Sequence, residues 1–215
     1  MSKPAHRDNP LIEGPAGPLE TLLERPEHGD DASVIIVCHP HPAHGGAMTN
    51  KVAYTLARAG VLAGLTALRF NFRGVGASAG SYDEGRGELG DVLCVVDWVR
   101  TALRPKRLVL GGFSFGSAMV VFASHQRDCD QLLLVAPPVG RILPPDTRVP
   151  DALPLTVVQG GQDDLVDPEA VIEWCNAQPP GVQVTLMETA DHFFHGHLPA
   201  LREQLVEALE QGVPA

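Results

Sequence analysis

Paired cysteines are missing from this chain. Its four cysteines stand at positions 38, 94, 129 and 175, far apart and never as C-x-x-C, so the spacing of a structural zinc site or a redox pair is absent. Cys38 and Cys94 fall in apolar segments and read as reduced core thiols, as expected of a cytoplasmic protein. Long apolar runs are missing too. None approaches the ~20 residues that a membrane helix needs, and the first 15 residues hold no apolar stretch of the secretory type. Positive charge is scarce: 16 Lys+Arg face 26 Asp+Glu, which gives 16 − 26 = −10. That balance repels nucleic acid and anionic membranes, so neither is expected as a partner. The densest basic stretch, residues 100–107, is short and reads as a solvated helix end. No GxxxxGK[ST] loop occurs, and the glycine-rich stretch 71–80 lacks G-x-G-x-x-G, so a phosphate-cradling or dinucleotide-binding loop is unsupported.

What is present is a globular chain of 215 residues, 44% hydrophobic and 20% charged. That length is enough to bury roughly 70% of the surface of the unfolded chain without disulfides or metals. Residues 1–18 are rich in Pro and Gly and read as an extended N-terminal segment, followed by an edge strand over 19–24. Residues 33–38 form an uninterrupted, β-branched run of the kind covered on both faces in a parallel sheet. A regular alternation follows. Helices are expected over 50–59 (with Gly60 as a stop), 88–103, 117–124, 168–177 and 198–210. Strands are expected over 65–70, 107–111, 131–136, 155–159 and 182–187. Such alternation means a three-layer α/β/α sandwich with a mostly parallel central sheet. No composition break marks a second domain within residues 1–215, and the 17 residues from Pro138 to Pro154 are too few for a folded cap.

In such sheets the reactive loops lie beyond the carboxyl ends of the strands. The strongest signal there is Gly112–Phe113–Ser114–Phe115–Gly116, between an apolar strand and a small-residue helix. A tight strand-to-helix turn strains its middle residue and needs tiny neighbours two places away on each side. The turn would lift the Ser114 hydroxyl to a helix N-terminus, where developing negative charge is favoured. Serine needs a base and an orienting carboxylate to act as a nucleophile. Strand 155–159 ends in Gly160, Gly161 and two acids, of which the spacing favours Asp163 over Asp164. Strand 182–187 leads to Asp191 and His192, with His195 and His197 nearer the last helix; His192 is the favoured base. The order Ser, Asp, His follows.

The loop His39–Pro40–His41–Pro42 offers an N–H at His41 between two prolines that have none. With the N–H of Phe115 it forms a candidate oxyanion hole. His39 is expected to brace the loop. Phe113, Phe193 and Phe194 are candidate substrate-binding residues, some of them expected to pack into the core. Arg73 either holds its loop by a salt bridge, the favoured role, or reaches a substrate carboxylate. The histidines also admit a metal-dependent hydrolase, but that reading leaves Ser114 and both of its glycines idle.

These motifs, together with Asn71–Phe72–Arg73–Gly74–Val75–Gly76 and Asp191–His192–Phe193–Phe194, resemble the α/β-hydrolase superfamily over residues 19–210. The likeness is closest to small, lid-poor bacterial hydrolases near the dienelactone hydrolase group. The resemblance implies an α/β-hydrolase fold with a minimal cap or none and a Ser114–Asp163–His192 triad. It also implies oxyanion donors at His41 and Phe115, and no cofactor or metal. Dienelactone hydrolases proper use cysteine as nucleophile, so Ser114 points to ordinary ester or thioester hydrolysis on a small or exposed acyl substrate, with water as co-substrate. A non-catalytic binder of the same fold, an acyltransferase and a peptidase are the competing expectations.

Overall fold

Residues 33–38 explain the architecture. Successive side chains of a strand point to opposite faces, and here both faces are apolar. In the computed structural model, which describes residues 6–27 and 31–211, Val34, Ile36 and Cys38 enter one buried cluster and Ile35 and Val37 enter another. This strand, β5 (Ser33–Cys38), therefore lies in the middle of an α/β/α sandwich. The strands before it are β1 (His6–Asp8), β2 (Ile12–Gly14), β3 (Gly17–Leu19) and β4 (Thr21–Arg25). After it come α1 (Lys51–Leu62), β6 (Thr66–Phe70), α2 (Arg86–Ala102), β7 (Arg107–Phe113), α3 (Phe115–Ser124) and β8 (Gln131–Val135). The chain ends with β9 (Leu155–Gly160), α4 (Pro168–Asn176), β10 (Gln183–Met187) and α5 (Leu198–Gln211).

The main sheet has eight strands in the order β1-β4-β6-β5-β7-β8-β9-β10. Only β4 runs against the other strands, antiparallel to both β1 and β6. Helices α1 and α5 cover one face through Val52, Leu56, Leu201 and Leu205. Helices α2, α3 and α4 cover the other through Val92, Val96, Ala118 and Val171. The chain leaves β5 toward β6 but leaves β7 toward β8. The strand order thus reverses between β5 and β7, which opens a crevice above their carboxyl ends.

Three expectations need correction. The N-terminal segment carries strands, and β1 pairs outside β4, so β4 is not the edge; residues 1–5 lie outside the described residues. Cys94 is only half-buried, its Sγ facing the Glu13 carbonyl at 2.8 Å on the β2–β3 hairpin. Gly60 does not stop α1. It lies inside the helix because the helix rests directly on β5, where a Cβ at Gly60 would stand 2.5 Å from Ile35 Cγ2.

The connection from β8 to β9 forms no cap. Trp174 Nε1 and Gln178 Nε2 donate to the Thr147 carbonyl at 2.9 and 3.1 Å, and the Val149 N–H donates to Gln178 Oε1 at 2.9 Å. These bonds hold the segment down against α4 and leave the crevice open. Among the described residues, no helix is long and apolar enough to cross a membrane.

The packing at Gly60 yields a test. Helix propensity alone favours Gly60→Ala by about 1 kcal/mol, whereas overpacking against Ile35 costs about 1–3 kcal/mol. Urea denaturation is expected to show net destabilisation; a gain near 1 kcal/mol would contradict the close contact.

Candidate active site

The turn after β7 is shaped by two glycines. A Cβ at Gly112 would lie 2.4 Å from the Gly116 carbonyl, and one at Gly116 would lie 2.3 Å from the Cys38 carbonyl oxygen. Both contacts are to backbone, which cannot yield cheaply. Only their absence lets α3 start directly against β5 and β7. Ser114 between them is held at φ 52°, ψ −119°, a region that costs a non-glycine residue about 1–3 kcal/mol. The turn is fastened by the Ser114 N–H donating to the Val135 carbonyl at 2.9 Å. Ser117 Oγ adds bonds to the carbonyls of Gly112 and Val135 at 2.7 and 3.0 Å. The strained conformation is thereby fixed, and the Ser114 side chain stands in the crevice at the amino end of α3.

Two loops bring partners to it. His192 Nε2 lies 3.1 Å from Ser114 Oγ, and His192 Nδ1 lies 2.7 Å from Asp163 Oδ2. A carboxylate beside Nδ1 sets the proton there and leaves Nε2 free to accept from the serine hydroxyl. Asp163 is buried, and burial opposes its charge. The His192 bond and the N–H groups of Val166 and Leu165, at 2.8 and 2.9 Å from Oδ1, outweigh that penalty and hold the carboxyl below its ordinary range. Gln159 Nε2 adds a bond to Oδ2 at 3.0 Å. Asp164 is exposed and takes no part in this chain of bonds. His195 is occupied by Asp191, which accepts from its backbone N–H at 2.9 Å and faces its Nδ1 at 2.7 Å.

The acid and histidine loops are clamped together by another glycine pair. A Cβ at Gly160 would lie 2.6 Å from the Ala190 carbonyl oxygen, and one at Gly161 would lie 2.6 Å from that of Glu188. Across this contact the Gly161 N–H donates to Met187 at 2.8 Å and the Gln162 N–H to Ala190 at 2.9 Å. Gln159 and this clamp escaped the sequence reading, because glycines after a strand read simply as a turn.

The loop after β5 supplies the third side. Its 3₁₀ turn, Pro42–His44, is capped by His41 Nδ1, which accepts from the Ala43 N–H at 3.2 Å. His41 Nε2 faces the Tyr82 hydroxyl at 3.1 Å. Burial and the neighbouring His44 press the His41 pKa down, with Glu88 opposing. Among the described residues, neither the His41 nor the Phe115 backbone N–H meets an acceptor within the chain. His39 points elsewhere. It accepts from the Phe72 N–H at Nε2 (3.0 Å), so its proton sits on Nδ1, which donates to the Pro40 carbonyl at 2.7 Å. Both ring nitrogens thus brace the loop, and burial drives the His39 pKa down to about 4 despite the Pro40 bond.

A cleft of about 350 Å³ opens above these groups. Ser114, His192, His41 and Phe193 line it, with Phe193 41% exposed. Phe113 and Phe194 are fully buried in the cluster under α1 and α5, which corrects their assignment as substrate-binding residues. Strand alternation turns Phe113 away from the cleft, and the left-handed backbone of Phe194 (φ 54°) turns its ring inward. Arg73 takes the favoured of its two expected roles, a salt bridge that holds its loop, and leaves the alternative of a substrate contact aside. Its Nη2 donates to Asp91 Oδ1 at 2.7 Å, its Nε lies 3.1 Å from Oδ2, and its backbone N–H donates to Oδ2 at 3.0 Å. Gly87 makes room for the guanidinium, since a Cβ there would meet Nη1 at 2.1 Å.

The depressed His39 pKa makes stability depend on pH. In the unfolded chain the ring takes up a proton near pH 6.5, but in the fold it resists until about pH 4. The unfolded state therefore binds more protons between these values, and stability is lost as pH falls through that window, by about 3 kcal/mol at most. Urea midpoints at pH 7.5 and 5.0 are expected to differ less in His39→Gln than in the wild type; an equal drop would assign the loss to other groups.

Comparisons with known proteins bear on the family and the fold. Residues 33–147, just over half of the chain, match the family model described as the alpha/beta hydrolase fold. An α/β serine hydrolase without lid from Xanthomonas campestris shares 38% identity over 100% of this chain and 99% of that one, with a TM-score of 0.91. An alpha-beta serine hydrolase homologue from Coxiella burnetii shares 42% identity, covering 93% of this chain and 96% of that one, with a TM-score of 0.87. An uncharacterized protein of Rickettsia prowazekii is 34% identical over 191 residues, 84% of this chain and 79% of that protein. With its elbow serine above a mostly parallel sheet and no cap over the cleft, the chain belongs to the α/β-hydrolase family and stands among its lidless serine hydrolases.

Proposed function

We propose that the protein cleaves a small or exposed carboxylic ester or thioester through an acyl-enzyme, with Ser114 as nucleophile, His192 as general base and acid, and Asp163 as orienter. The observation that carries this reading is the continuous relay from Asp163 Oδ2 through His192 to Ser114 Oγ, with steps of 2.7 and 3.1 Å. The Ser114–His192 step is short enough for proton transfer without rearrangement, and the Asp163–His192 bond keeps the ring in the tautomer that accepts it.

As Ser114 Oγ attacks the acyl carbonyl, His192 Nε2 takes the hydroxyl proton. The carbonyl oxygen becomes an oxyanion, for which the N–H groups of His41 and Phe115 are the donors. His192 then gives the proton to the leaving alcohol or thiol, and the C–O or C–S bond breaks. Water enters, loses a proton to His192 and attacks the acyl-enzyme; collapse of the second intermediate returns the proton to Ser114 and releases the acid. The charge of Asp163 stabilises the imidazolium formed at each stage. Phe193 is the apolar wall of the substrate cleft. All of the parts come from one domain within the described residues 6–27 and 31–211.

Two variants separate the roles. Ser114→Ala is expected to lower kcat on p-nitrophenyl esters by roughly 10³–10⁶, because nothing else supplies the attacking oxygen. Asp163→Asn keeps the shape but offers an amide where a carboxylate fixes the tautomer, and a loss of roughly 10⁴ is expected. Steady-state kinetics with circular dichroism as a folding control check both. Activity within tenfold of wild type in either variant would remove that residue from the mechanism.

A further inference from the structure

The protein is acidic, with 26 Asp+Glu in its sequence, yet none of the described residues that line the cleft is acidic. The cleft holds instead His41, His44, His192 and one permanent cation, Arg141. Elsewhere Arg25, Arg69, Arg73 and Arg127 each hold a carboxylate. Among the described residues, Arg141 is exposed and its side chain has no ion pair or hydrogen-bond partner. It also borders a neighbouring hollow lined by Asp163, Asp164 and Asp167, but it pairs with none of them.

The base of this side chain is fixed. The Pro138 carbonyl accepts from the N–H groups of Arg141, Ile142 and Leu143 at 3.2, 3.1 and 3.1 Å, and the Gly140 N–H donates to the Leu143 carbonyl at 2.9 Å. Gly140 closes this turn at φ 77°. Beside Arg141 the same rim is aliphatic, made by Pro138, Ile142, Leu165 and Val166. A cation on an anchored turn, in a lining shared with these aliphatic side chains and with Ser114, is suited to a ligand with a carbon chain that ends in an anion.

We propose that Arg141 is a specificity-determining residue and that the substrate is an ester or thioester bearing an anionic oxygen group, carboxylate or phosphate, away from the reacting carbonyl. This rests on the hydrolase reading above. Arg141 pairs with the anion at the rim while the carbonyl reaches Ser114, and the absence of carboxylates from the lining spares the ligand a repulsion that the surface elsewhere would impose.

The test compares matched esters on the full-length protein. One arm places charge on the acyl chain (p-nitrophenyl hemiglutarate against p-nitrophenyl valerate), the other on the leaving group (4-acetoxybenzoate against phenyl acetate). In at least one arm the wild type is expected to favour the charged ester in kcat/KM by about three- to tenfold at low salt. That preference is expected to shrink with ionic strength, to vanish in Arg141→Gln and to persist in part in Arg141→Lys. A charged-to-neutral ratio that Arg141→Gln leaves unchanged in both arms would overturn the proposal. A readout independent of turnover separates this from failure of the hydrolase reading. By calorimetry, Ser114→Ala is expected to bind monomethyl glutarate at least threefold more tightly than the Ser114→Ala/Arg141→Gln double variant. Equal binding by the two would sink the role of Arg141 even if no ester is cleaved.

Discussion

Backbone lies against backbone where α3 meets β5 and β7, and the site depends on that contact. Any side chain at Gly112 or Gly116 would push the helix off the sheet, because the atoms it would meet are carbonyls of the turn and of Cys38. With the helix seated, Ser114 has no choice but the strained conformation at φ 52°. The cost of that strain is offset by bonds from the Ser114 N–H and the Ser117 hydroxyl to neighbouring strands. The same seating sets Ser114 at the amino end of α3, where negative charge is favoured.

A second backbone contact works in the same way one layer along the sheet. Gly160 and Gly161 let the segment 188–191 lie directly on the end of β9, so Asp163 and His192 are presented by loops locked to each other. Asp163 keeps its charge in a buried place because its oxygens accept from His192, Gln159 and two backbone N–H groups. A carboxylate solvated only by water would lie lower in energy outside the site; one held by fixed donors stays where the imidazole needs it. The open cleft follows from the β8–β9 connection, which Trp174 and Gln178 tie to α4.

Much of this was legible in the sequence, for physical reasons. Strand β5 announced itself because a strand covered on both faces must be apolar at every position. The pair Gly112 and Gly116 around Ser114 was legible because the turn tolerates no other residue there. The rest depended on contacts between distant segments. Gly60 has the local chemistry of a helix stop, and only the proximity of Ile35 shows why it is retained inside α1. Arg73 carries no mark of its partner Asp91, which lies 18 residues on. Phe113 and Phe194 have the composition of a substrate wall, but strand alternation and one left-handed residue direct them into the core. Strands of three residues such as β1 are too short to show a period.

The central claim is that Ser114 Oγ is activated by His192 and reacts as a nucleophile. The most direct measurement is labelling of the folded protein with a fluorophosphonate, followed by mass spectrometry of its peptides. A single phosphonyl adduct on Ser114, absent from His192→Ala, is the predicted result. A folded protein that takes no label, or takes it on another residue, would contradict it.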